Sequence, residues 1–240
     1  MAKNEVVKVE VIEALDNAVE RGLAACQMAG CMSKALEVAG ALQDLRAALS
    51  KEVMAAVMPL QGSALGFRTD KDKDGGYPEA VVKDCLIEAS LSGVYPVGNE
   101  FNIIAARAYI TKEGMGRKLN SIPGLSWTIT PGIPENRNGG AIVPMAVEWS
   151  HGGKANTKEL KVCVRVNSGM GTDAIIGKAT RKARAWLFQT VTGQEVPEGE
   201  AGDEPINVTP KQSPFEVSEP AIQPEGGIEQ FGLDGGENVG

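Results

Sequence analysis

Four basic residues crowd into one short stretch of the chain: Lys178, Arg181, Lys182 and Arg184, with no acid among them. Lysine and arginine at this density suit a polyanion, foremost the phosphates of a nucleic acid. They equally suit a solvated helix face. Further basic residues precede them. Arg107, Lys112, Arg117 and Lys118 fall in one segment, and Lys161 and Arg165 in another. Lys161 and Arg165 are an even number of positions apart, so a regular strand would place both on one face.

Other chemistries find less support. The segment from Gly171 to Thr180 resembles a phosphate loop, but five residues separate Gly171 from Gly177, and Ala179 stands where Ser or Thr is needed to hold magnesium. Asp70, Asp72 and Asp74 begin like a calcium loop, yet the twelfth position is Val81 rather than the bidentate Glu that closes the oxygen cage. His151 is the single histidine and sits in a Gly-Gly turn, so no nucleophile–base pair can be built on it. Cys26, Cys31, Cys85 and Cys163 have no metal-ligand spacing and read as reduced, mostly buried thiols. The expectation is a non-enzymatic protein with no cofactor and no metal.

These residues need elements to position them. Residues 171–193 read as one amphipathic helix, with Thr172 or Asp173 as N-cap and Gly193 at the C-terminal end. Ile176, Ala179, Ala183 and Leu187 recur at helical spacing and should face a core, with the basic residues on another face. Residues 125–130, 141–149 and 159–166 alternate or run apolar between Gly, Pro and Asn clusters, and predict antiparallel strands. Pro144 should sit at an edge or bulge. A strand over 101–105 and a helix over 106–119 are expected, the helix weakened by Gly114 and Gly116. A further helix is expected over 79–91, and residues 5–58 are rich in helix formers with no proline until Pro59.

The net charge of −7 is unevenly spread. Residues 1–60 carry 6 basic and 8 acidic side chains, 61–195 carry 17 and 13, and 196–240 carry 1 and 10. A mildly basic middle therefore precedes an acidic, Pro- and Gly-rich end, a composition expected to be disordered. No apolar run is long enough to span a membrane, and no apolar signal region follows the N-terminal residues. A cytoplasmic location is expected. The fold class expected is α+β: a helical N-terminal region (1–58), a core with a small antiparallel sheet packed by helices (59–195), and a disordered acidic tail (196–240).

Three segments in order carry a resemblance: GVYPVGNEFNIIAARAYITKEGMGRKL, then IPGLSWTITPG, then GTDAIIGKATRKARAWLFQTVTG. Together they resemble the RecT-type single-strand annealing proteins of bacteriophages in their diverged forms, over roughly residues 55–195. The resemblance implies ATP-independent binding of single-stranded DNA and annealing of complementary strands in phage homologous recombination. It implies assembly into rings or helical filaments, and a partner phage exonuclease or host single-strand-binding protein. By the same resemblance Lys178, Arg181, Lys182 and Arg184 would hold phosphates, Arg107, Lys112, Arg117 and Lys118 would line the same groove, and Tyr109 or Phe101 would stack on a base, with a place in the apolar core the stronger expectation for Phe101. Different classes stay open: a self-assembling phage structural protein, a metal-dependent nuclease, and a plain single-strand DNA-binding protein without annealing activity.

Overall fold

The structure, a computed structural model, describes residues 7–26, 30–137, 139–167, 169–196 and 215–216. Nearly all of the acidic tail expected over 196–240 lies outside the described residues. The fold is α+β, with six α-helices among the described residues. In chain order they are α1 (Val9–Cys26), α2 (Cys31–Ala48), α3 (Lys51–Val57), α4 (Glu79–Leu91), α5 (Lys112–Asn120) and α6 (Thr172–Thr192). The strands are β1 (Arg68–Thr69), β2 (Phe101–Ile104), β3 (Arg107–Ile110), β4 (Ser126–Pro131), β5 (Glu135–Arg137), β6 (Gly140–His151), β7 (Lys154–Arg165) and β8 (Phe215–Glu216).

The main sheet runs β4-β6-β7-β8, with β5 also paired to β6, and all its pairs are antiparallel. Its centre is the long β6–β7 hairpin, closed by Gly152 and Gly153 at φ 58° and 77°. That left-handed pair is the turn whose twist matches two antiparallel strands, and glycine enters it without steric cost. On one face Ala141, Val143, Met145 and Val147 alternate inward and meet Val164, Val162 and Leu160 of β7. Helix α6 covers this face, packing on β4, β6 and β7.

Pro144 is not on an edge strand. It lies in β6, at the point where β4 pairing stops at Met145 and β5 pairing begins at Ile142. Its carbonyl accepts from Gly132 N at 2.7 Å. In a strand the N and O of one residue point the same way, so the missing N–H faces the gap between β4 and β5 and breaks no ladder bond.

The expected helix over 106–119 is instead a strand followed by a shorter helix. Residues 105–106 make a left-handed turn (φ 51° and 60°), and β3 folds back on β2. Alanine is disfavoured there, and three hydrogen bonds hold the turn in place. Asp70 Oδ2 accepts from Ala105 N at 3.0 Å, the Tyr77 hydroxyl accepts from Ala106 N at 3.0 Å, and that hydroxyl donates to Asp70 Oδ1 at 2.8 Å. Burial raises the Asp70 carboxyl, but the Ala105 amide and the Tyr77 hydroxyl outweigh it and leave its pKa lowered. Asp72 accepts from both Thr69 N and Thr69 Oγ1. The acidic loop is therefore a clamp for the β2–β3 turn. Phe101 is a core residue, as expected, fully buried against Phe67 with ring centroids 4.9 Å apart.

Thr111 caps α5, its Oγ1 accepting from Gly114 N at 3.3 Å while donating to Asn99 O at 2.6 Å. Gly114 and Gly116 are tolerated in this helix because neighbours approach where a Cβ would be. A Cβ on Gly114 would lie 2.1 Å from Glu100 O, and one on Gly116 would lie 2.9 Å from Arg184 Nη1. Backbone cannot swing away as a side-chain tip can. Gly114→Ala is therefore expected to destabilise by about 2–3 kcal/mol despite alanine's better helix propensity. Urea denaturation measures this, and an unchanged midpoint would mean that α5 shifts freely on β2.

The N-terminal helices share the same apolar core as the rest. Helices α1 and α2 pack as a pair, and both contact α4. Ala18, Val19 and Leu45 join one buried cluster with the sheet residues. No helix among the described residues is long and apolar enough to cross a membrane.

Candidate nucleic-acid interface

Helix α6 has the ends expected at its C-terminus but not at its start. Gly193 is left-handed (φ 71°) and donates to Gln189 O. The N-cap is Gly171, without a side-chain cap, while Thr172 and Asp173 lie in the first turn. There the Asp173 carboxylate faces the positive end of the helix dipole. Ala179, Ala183 and Leu187 face the core as expected, with Ile175 buried and Ile176 only half-buried.

The basic face of α6 is solvated only in part. Helix α5 packs on α6, which packs in turn on β4, β6 and β7. Arg181 is only 4% exposed. Its Nε donates to Ile110 O at 2.8 Å, and its guanidinium lies 4.4 Å from the Tyr109 ring centroid. A buried arginine satisfied by a carbonyl and an aromatic face is a packing element, and the Tyr109 ring it covers is half-buried. Arg184 donates to Lys112 O and is half-buried. Lys178 and Lys182 are partly exposed along the same helix.

The remaining basic residues do not form one groove. Lys161 and Arg165 do share a face of β7, but it is the face turned away from α6. Arg107 is exposed at the start of β3. Lys112 is exposed and pairs with Glu113 at 3.7 Å. Arg117 and Lys118 alone join Arg184 at one place.

That place is a cleft of about 1100 Å³ between α5, α6, the loop after α4 and the start of β4. Each of its cations lies over an aromatic ring. Arg117 is 4.2 Å from the Tyr95 centroid, Lys118 is 4.6 Å from Phe188, and Arg184 is 5.2 Å from Trp127. Second contacts hold the pairs. Arg117 meets Glu100 at 3.4 Å, Lys118 Nζ donates to Ser92 O at 2.6 Å, and Trp127 Nε1 donates to Asn120 Oδ1 at 3.0 Å. Burial lowers the Lys118 ammonium pKa, with Cys26 acting in the opposite sense, and burial likewise lowers Arg184 against the pull of Glu113. The Arg184 Nε is buried with no hydrogen-bond partner among the described residues. Aromatic faces interleaved with cations are what successive bases and phosphates of a single strand require.

Tyr95, Trp127 and Phe188 were not among the residues singled out from the sequence. Tyr95 stands beside a Gly-containing turn and Trp127 in a short strand, but neither carries a spacing that ties it to Arg117 or Arg184.

The thiols differ from the expectation that most are buried. Only Cys85 is buried, Cys26 is intermediate on the cleft wall, and Cys31 and Cys163 are exposed. Burial pushes the Cys85 thiol up to about 11, so it stays protonated and unreactive at neutral pH. A thiol reagent is expected to label Cys31 and Cys163 quickly, Cys26 slowly and Cys85 only on unfolding, read by mass spectrometry of the peptides. Rapid labelling of Cys85 in the native protein would contradict its packing. No protein-family model, no curated protein and no solved structure matches the chain.

Proposed function

We propose that this chain binds single-stranded DNA and anneals complementary strands without ATP, in phage homologous recombination inside the bacterial host cell. The observation that carries the reading is the cleft in which Arg117, Lys118 and Arg184 each cover an aromatic ring. Such a surface grips a strand through stacking and counterion release without reading its sequence. Annealing needs that indifference, because either complementary strand must be held alike. The resemblance of residues 55–195 to RecT-type annealing proteins supports the same reading. On it the chain works as a homo-oligomer, beside a phage exonuclease or a host single-strand-binding protein, and requires no cofactor.

A second reading, a self-assembling phage structural protein, has its own support. Val9 and Ile12 on α1 and Met32 and Leu36 on α2 are large, apolar and 46–73% exposed, a pattern suited to association between copies. One experiment separates the two. Purified protein is mixed with two complementary dye-labelled oligonucleotides, without nucleotide, at low and high salt. Acceleration of pairing that fades with salt is the expected result. Binding without acceleration would reduce the activity to strand protection, and no binding at any salt would leave self-assembly as the reading.

A further inference from the structure

The main sheet has one long edge that is mostly open. Strand β6 pairs with β7 along its whole length, from Lys154 to Arg165, but on the other side only Lys161 and Val162 have partners, Glu216 and Phe215 of β8. Every second residue of β7 turns its backbone N–H and C=O away from β6, and an edge of this length is a template for another strand. The edge is also charged. Lys154, Lys158, Lys161 and Arg165 stand in β7 against Glu159 alone. None of these four basic residues forms an ion pair among the described residues.

The chain's own C-terminal sequence fits that edge. Strand β8 sets an antiparallel register with Phe215 opposite Val162 and Glu216 opposite Lys161. Carried on in the same register, Val217 falls opposite Leu160, Ser218 opposite Glu159 and Glu219 opposite Lys158. The apolar Phe215 and Val217 thus meet two positions that are at most 1% exposed, and the two acids meet two lysines. Apolar and polar residues alternate from Phe215 to Ser218, as a half-buried strand requires. Pro214 and Pro220 bound the segment, and proline has no N–H to give to a ladder.

We infer that residues 215–219 form a five-residue strand that covers the β7 edge of their own chain, so that the lysines of β7 seat the acidic C-terminal segment rather than a phosphate backbone. Main-chain bonds to an open sheet edge supply the affinity in such a contact, and the alternating side chains supply the register. The reach is sufficient. Residues 197–214 can span roughly 60 Å at about 3.4 Å each, and α6 is only about 30 Å long. Covering the edge also withholds it from pairing with a second copy. No β7 residue lines the cleft, so this contact stands or falls apart from what the cleft binds.

The test is hydrogen–deuterium exchange of the full chain, read by mass spectrometry, with a synthetic peptide of residues 212–222 as the unpaired reference. Amides of residues 215–219 are expected to exchange several-fold more slowly in the chain than in the peptide, at every protein concentration. Phe215→Asp should return them to the peptide's rate and speed exchange along the β7 edge. Lys161→Glu sets like charges opposite one another and should speed exchange of residues 215–219 by up to about 5-fold, the size of one cross-strand charge pair. Adding Glu216→Lys to that variant should restore the slow exchange. Peptide-like exchange in the wild-type chain, no response to Phe215→Asp, or no restoration by the reversed pair would each overturn the inference. Protection that disappears on dilution would overturn it too, because the strand would then come from a second copy.

Discussion

Arg181→Glu is expected to cost about 3–5 kcal/mol of stability, the loss typical when a buried charge is stripped of its partner. The arginine is buried, its Nε is bonded to Ile110 O, and its guanidinium covers the Tyr109 ring. A glutamate would leave that carbonyl without its donor, place an oxygen anion beside it, and lose the cation–aromatic contact. Urea denaturation followed by circular dichroism gives the number. Lys178→Glu, higher on the same helix and partly exposed, should change stability by less than about 1 kcal/mol. The comparison bears on how a charge-reversal series on α6 is read: a loss of DNA binding in an Arg181 variant would report unfolding rather than a lost phosphate contact. Wild-type stability in Arg181→Glu would mean that Arg181 is not held against Ile110 and Tyr109 of β3.

Trp127→Ala is expected to weaken single-strand binding about 10–100-fold, in line with roughly 1–3 kcal/mol per stacked base. Trp127 forms one wall of the cleft and carries Arg184 over its ring. Its loss removes a stacking surface but no charge, so the slope of affinity against salt should not move. Arg117→Ala should behave in the opposite way. It removes one cation from the cleft wall and should reduce the slope by about 0.7, the value for one phosphate contact on a single strand. Measuring affinity across a salt series for both variants separates base contacts from phosphate contacts. A changed slope in Trp127→Ala with an unchanged slope in Arg117→Ala would reverse the roles assigned here.

Much of the scaffold was legible beforehand. The β6–β7 hairpin follows from two apolar runs flanking His151-Gly152-Gly153-Lys154, because the turn chemistry and the alternation agree. The C-terminal end of α6 follows from Gly193. Helix α4 spans Glu79–Leu91 as its apolar spacing predicts. The β2–β3 hairpin was not legible, since Ala105-Ala106 carries no turn signal and its left-handed backbone depends on Asp70 and Tyr77 from a distant loop. Nor was the placement of Pro144, which depends on where β4 ends and β5 begins along β6.

The sequence by itself determined the inventory: a helix-forming N-terminal stretch, a strand-rich middle, a long helix crowded with lysine and arginine, and an acidic end. Local propensity and periodicity suffice for that, because each depends on neighbours within a turn or two. Tertiary structure alone decided which cations do what. Periodicity shows that Lys178, Arg181 and Lys182 share a side of α6, but not that Arg181 is buried there against Tyr109 and Ile110 of β3 while the two lysines stay partly exposed. Spacing likewise cannot show that Tyr95, Trp127 and Phe188, far apart in the chain, each meet a cation at the point where four helices end. Those contacts are set by the packing of whole elements, and the chemistry of the cleft exists only once that packing is complete.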